Sequence, residues 1–259
     1  IELRAAIDAA PTKQELEDLY LPYKPKRRTK GMIAREAGLE PLADKLFADP
    51  ALEPLHEAAA FVAADLGYAD APAVLDGVRD LLSERWAENP ALVQDLREWL
   101  WQEGLLQSKL MEGKDENNAD VAKFRDYFDY DEPIGRVPSH RALAVFRGRA
   151  LDILDAKLVL PESDAVPNRP IAPAVSALPA IKTGATAAAV RPAPVVSLAE
   201  GRIALKLGWS HAGRAADDLI RKCVAWTWKV KLSMSTERDL FTRLREEAEK
   251  VAIKVFADN

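Results

Sequence analysis

The side chains in this sequence whose type and spacing could do chemistry are, first of all, cations. Between Lys24 and Arg35 stand Lys24, Lys26, Arg27, Arg28, Lys30 and Arg35, with no acid among them. Tyr20 and Tyr23 precede the run, Pro22 and Pro25 punctuate it, and Gly31 allows close approach. Such a cluster can place guanidinium and ammonium groups on phosphates, with bidentate geometry and counterion release supplying the free energy. The prolines hold the segment extended and lower the entropy cost of presenting its charges. The competing reading is a solvated basic loop, or one paired with Glu15, Glu17 and Asp18 on the preceding helix.

A second cationic group, Arg136, Arg141, Arg147 and Arg149, surrounds one short helix. Pro138-Ser139 reads as its entry, with Ser139 as N-cap, and Gly148 as its C-cap glycine between two cations. Arg136, Arg141 and Arg147 are candidate phosphate contacts. Cations at a helix C-terminus also complement the dipole, so Arg147 and Arg149 have a purely stabilising role open to them. His140 reads as a capping or packing residue.

Patterns for catalysis and metal binding are otherwise missing from the sequence. His56, His140 and His211 stand far apart, with no zinc spacing. Cys223 lies among Ile220, Val224 and Trp226 on a helical pattern and reads as core. Gly113-Lys114 has Ser108 and Asp115 where a phosphate loop needs Gly and Ser or Thr, and Asp120 stands where a calcium loop needs Gly. Asp126, Asp129, Asp131 and Glu132, interleaved with Tyr127, Phe128 and Tyr130, read as the solvated face of an amphipathic helix end. The expectation is no enzyme, no cofactor and no metal. Trp99 and Trp101, like Trp226 and Trp228, are two apart and cannot share a helical face, so one of each pair should pack inward.

The elements that must carry these groups are mostly helical. Thr12 and Glu15 form a capping box, Gly38 fits a C-cap, and Asp70 before Ala71-Pro72 reads as a helix entry. Val74, Leu75, Val78, Leu81 and Leu82 mark one apolar face. After Asn89-Pro90 the pattern resumes through Leu92, Val93, Leu96, Trp99, Leu100 and Leu106. Ala58 to Leu66 is apolar almost all round and reads as a buried helix. Six to eight helices are expected before residue 150, and at most a short strand near 151–160. Pro161 to Pro194 then holds seven of the chain's 17 prolines, so 161–196 reads as an Ala/Pro-rich, linker-like insertion between an N-terminal helical region, 1–160, and a central helical region, 197–259. In the latter, helices are expected from Ala215 to about Val230 and from Thr236 to Phe256, the second capped by Ser235 or Thr236.

Composition bounds the rest. The chain has 259 residues, 36 basic and 41 acidic, for a net charge of −5, with 48% hydrophobic and 30% charged residues. That excludes a bulk polycation but not a local basic surface. A lone cysteine points to a reducing compartment, and no uncharged run approaches the roughly 18 residues of a membrane span. Ile1 and the absence of a signal-peptide pattern suggest a cytoplasmic segment of something longer.

Three blocks carry a family resemblance. The string from Asp18 to Ala43, centred on Tyr20-Leu21-Pro22-Tyr23-Lys24-Pro25-Lys26-Arg27-Arg28-Thr29-Lys30-Gly31, resembles the signature of the Tex family of bacterial transcription accessory proteins. Ile134-Gly135-Arg136-Val137-Pro138-Ser139-His140-Arg141, running on to Arg147-Gly148-Arg149, is similar to the same family's second block. Ala199-Glu200-Gly201-Arg202-Ile203 and Trp226-Thr227-Trp228-Lys229-Val230-Lys231-Leu232 resemble its central region. The resemblance implies a mainly α, multi-helical region with helix-turn-helix-like units, ahead of a ribonuclease-H-like domain, helix-hairpin-helix motifs and an S1 domain that this stretch lacks. It further implies a non-catalytic scaffold assisting sequence-nonspecific RNA or DNA binding, with RNA polymerase or other transcription machinery as a possible partner. The alternative is a protein–protein docking module. The insertion departs from the family's usual short link between blocks.

Overall fold

The computed structural model describes Arg4, Ile7 and residues 13–20, 28–160 and 197–257. Eight α-helices fall before residue 151 among these: α1 (Lys13–Tyr20), α2 (Lys30–Glu36), α3 (Glu40–Ala48), α4 (Pro54–Ala59), α5 (Ala71–Ala87), α6 (Pro90–Glu103), α7 (Ala119–Ala122) and α8 (Ser139–Ala150). The later ones are α9 (Leu198–Lys206), α10 (Asp217–Trp226) and α11 (Ser233–Ala257). The molecule is mainly α, as its periodicity predicts.

Short polar side chains start many of these helices by accepting free N–H groups. Asp70 accepts from Ala73 at 2.8 Å, Asn89 from Ala91 and Leu92, and Ser197 from Glu200. Proline sits in the first turns of α3, α4, α5 and α6, where its missing donor costs nothing. Gly38, at φ +79°, ends α2 as expected. Thr12 of the expected capping box lies outside the described residues.

Two apolar clusters form the core. The first joins α2, α3, α5 and the front of α6 to α9 and α10, through residues such as Leu42, Leu81, Leu96, Ile203, Ile220 and Cys223. The second joins the end of α6, the sheet and α8 to α11, through Leu100, Leu106, Phe146, Leu240 and Phe241. Trp99 and Trp228 pack against both. Residues on the two sides of 161–196 therefore share both clusters. Polar clasps reinforce this: the Arg202 guanidinium grips Asp95 of α6 at 2.8 and 2.9 Å, and Arg97 of α6 meets Asp239 of α11 at 3.1 Å.

Four local expectations are corrected. Leu106 does not continue α6; it lies in β1 (Leu105–Leu110), the centre of an antiparallel sheet ordered β2-β1-β3. Gly104 makes the break, because a Cβ there would lie 2.4 Å from the Leu100 carbonyl oxygen. The acidic stretch 129–133 is β2 (Asp129–Pro133), not a helix end, and β3 (Leu154–Val159) is the strand expected near 151–160. The apolar run Ala58–Leu66 is not a buried helix: α4 stops at Ala59, Ala63 bridges Tyr68, and Val62 and Leu66 face solvent. Finally, α10 runs into α11 through a π-helical segment, Thr227–Leu232. Ser235 and Thr236 are thus interior, and Ser235 donates back to the Lys231 and Leu232 carbonyls.

Candidate nucleic-acid interface

Of the first cationic cluster, Lys24, Lys26 and Arg27 lie outside the described residues. Arg28 is exposed and its guanidinium pairs with Glu36 at 2.5 Å, whereas Glu17 is taken by Lys13. Lys30 is exposed at the start of α2. The residues between serve packing. Thr29 Oγ1 accepts the Met32 N–H at 3.1 Å and donates to Glu84 of α5 at 2.7 Å. Gly31 is buried, and a Cβ there would lie 3.0 Å from the Asp80 carbonyl oxygen and from the Glu84 carboxylate. The close approach that Gly31 permits is therefore of one helix to another. Lys231 reaches the same Glu84 at 3.6 Å.

The second cluster is displayed around α8. Arg136 ends a 3₁₀ turn, Ile134–Arg136, and is exposed. Pro138, not Ser139, is the N-cap, and His140 faces solvent. Arg141 is exposed but engaged: it meets Glu132 at 3.5 Å and lies over the Tyr130 ring at 6.0 Å. Tyr130 in turn donates to Glu132. Burial, and then the Glu132 carboxylate, push the Tyr130 phenol well above its usual range. Arg147 is exposed as well. Gly148 is not the C-cap: the helix runs on to Ala150 and the backbone turns at Asp152, φ +53°. Gly148 is a contact point, since a Cβ would lie 2.5 Å from Leu154 Cδ1 of β3.

Arg136 and Arg147 meet no carboxylate among the described residues. The candidate surface among the described residues thus comprises the exposed Arg28, Lys30, Arg136, Arg141 and Arg147, of which Arg28 and Arg141 have carboxylate partners. Among the described residues no three His, Cys, Asp or Glu side chains converge as metal ligands. In β2 the alternation of a strand turns Tyr130 and Glu132 one way and Asp129 and Asp131 the other. Cys223 is fully buried, and burial pushes its thiol up to about 12. In the second tryptophan pair Trp228 packs against both apolar clusters, as expected of the inward member, whereas in the first pair Trp99 and Trp101 both pack on the core. All four are part-buried, Trp101 under Arg243 at 4.1 Å and Trp226 under Arg79 at 4.2 Å.

Fold and surface together define a mainly helical protein with a small antiparallel sheet and outward-facing arginines. The chain belongs to the Tex family: residues 49–256 match the model described as Tex central region-like. It is 47% identical over 258 residues to Protein tex of Bordetella pertussis, and 45% identical over 259 residues to Protein YhgF of Escherichia coli. It is 40% identical over 258 residues to Transcriptional accessory protein Tex of Neisseria gonorrhoeae. Each match covers all of this chain and 30% of the relative, so the chain spans about a third of the length of the curated relatives it matches. Among the described residues no helix is long and apolar enough to cross a membrane.

Proposed function

We propose that this chain is a non-catalytic, cytoplasmic helical scaffold of a transcription accessory protein, and that its basic elements assist sequence-nonspecific binding of RNA or DNA. The observation that carries this reading is the exposure of Arg136 and Arg147 without a carboxylate partner among the described residues. The uninterrupted cations Lys24, Lys26, Arg27, Arg28 and Lys30 and the name of the Neisseria relative support it. Such cations contact phosphates and not base edges, so affinity is weak and strongly dependent on salt.

The test is single-stranded RNA binding at about 50 and 200 mM salt, repeated with Lys26→Glu, Arg27→Glu and Arg28→Glu combined. The combined variant should weaken binding at least tenfold at the lower salt. Unchanged affinity would sink the basic-segment reading. A second reading, docking onto RNA polymerase or another part of the same protein, is favoured by the exposed apolar side chains Val251 and Ile253 near the end of α11. Retention of RNA polymerase on the immobilised chain, lost on Val251→Asp and Ile253→Asp, would support it.

A further inference from the structure

A groove of about 790 Å³ runs between α8 and α11 and the π-helical segment. Its floor is the edge-to-face pair Phe146 and Phe241, ring centroids 5.7 Å apart. Two arginines cross over this pair reciprocally: Arg149 of α8 lies 5.2 Å from the Phe241 centroid, and Arg245 of α11 lies 4.9 Å from that of Phe146. Arg238 lines the same wall, one helical turn before Phe241. All three arginines are exposed, and none makes an ion pair with a described residue. This holds although Glu246 and Glu249 also line the groove; its third glutamate, Glu237, accepts the Leu158 N–H at 3.0 Å. Met234, 85% exposed, adds an apolar surface at the groove's edge.

The geometry points to a binding site for the phosphodiester backbone of single-stranded nucleic acid, held by Arg149, Arg238 and Arg245. This rests on the reading above that the chain binds nucleic acid, but assigns the contact to different residues. A guanidinium placed over a ring face loses little further freedom on binding, and its N–H edges remain to grip a phosphate in fork geometry. Aromatic and arginine faces beside a cationic wall are also what unstacked bases pack against. The volume suits a short stretch of single strand. A nucleic-acid strand repeats its charge at every phosphate and carries bases that can lie on exposed guanidinium faces, which the carboxylates of an acidic polypeptide do not offer.

The test uses the chain as it stands and a fluorescein-labelled 20-nucleotide single-stranded RNA, across a salt series, with each variant's fold checked by circular dichroism. Arg149→Ala, Arg238→Ala and Arg245→Ala combined should weaken binding at least tenfold and lower the log–log salt slope by about 2, at roughly 0.7 per phosphate contact. Arg238→Ala, which disturbs no ring stacking, should weaken it severalfold even if the triple variant is poorly folded. Glu246→Gln with Glu249→Gln should tighten it, an effect that a purely structural role would not produce. Unchanged affinity and slope in the arginine variants, with loss in the Lys26/Arg27/Arg28 variant, would overturn the groove and leave the basic segment standing. The reverse pattern would support the groove and remove the basic segment. Absence of binding by the unaltered chain overturns both. Poly-glutamate binding that depends on the three arginines, with RNA binding that does not, would overturn the nucleic-acid assignment in favour of an acidic polypeptide.

Discussion

Asp217 shows how one residue organises a loop. Its buried carboxylate accepts from Trp209 Nε1 at 3.0 Å, from the Ala212 and Arg214 backbone at 2.8 and 2.9 Å, and from the Arg214 guanidinium at 2.8 Å. Burial alone would raise its pKa, but the Arg214, Ala212 and Trp209 hydrogen bonds outweigh it and lower it from 3.8 to about 2. A depressed folded-state pKa contributes stability that is present above about pH 4 and lost as pH falls towards 2. Asp217→Asn should therefore be less stable than the unaltered chain at pH 7 in urea unfolding, with the gap narrowing below pH 4. A gap independent of pH across this range would refute the linkage. The expected helix from Ala215 includes Asp217 but says nothing of its partners; the four donors come from a loop whose path the sequence does not reveal.

At the scale of elements, α8 is positioned by Gly148. Leu154 Cδ1 and Cγ lie 2.5 and 2.7 Å from where a Cβ would stand, and Leu154 is fully buried and cannot retreat. Gly148→Ala should cost about 1–3 kcal/mol by overpacking, despite alanine's better helix propensity. Thermal unfolding should show a lower Tm; an unchanged or higher one would mean that α8 slides freely on β3. The helix entries at Asp70 and Asn89 were legible because capping depends on residues three or fewer apart, whereas the helix that Ser197 caps was not anticipated. Nor were the strands β1 and β2. Leu105 to Leu110 continues an apolar helical spacing by accident, and β2 is acidic because only Tyr130 and Glu132 turn inward. Pairing across 20 or more residues made these segments strands.

For the whole molecule, the decisive fact is that segments before and after 161–196 share both core clusters. Composition alone does not show this, since an Ala/Pro-rich stretch reads the same whether it separates two bodies or interrupts one. Replacing residues 163–194 with about ten Gly/Ser residues should leave a single cooperative unfolding transition. Loop-closure entropy would change its stability by only about 1 kcal/mol. Two transitions in calorimetry would show that the flanks fold independently.

By itself the sequence determined the helical class, the helix entries at Asp70 and Asn89, the buried Cys223 and the Tex family, because these depend on local periodicity, short-range hydrogen bonding and strings of adjacent residues. Only the tertiary structure decided which cations are engaged. Arg28 and Arg141 find Glu36 and Glu132, whereas Arg149 and Arg245 lie over phenylalanines contributed by each other's helix. A charge's partner is set by what the fold brings within a few ångströms, and residues about a hundred positions apart become neighbours only when the chain closes on its core.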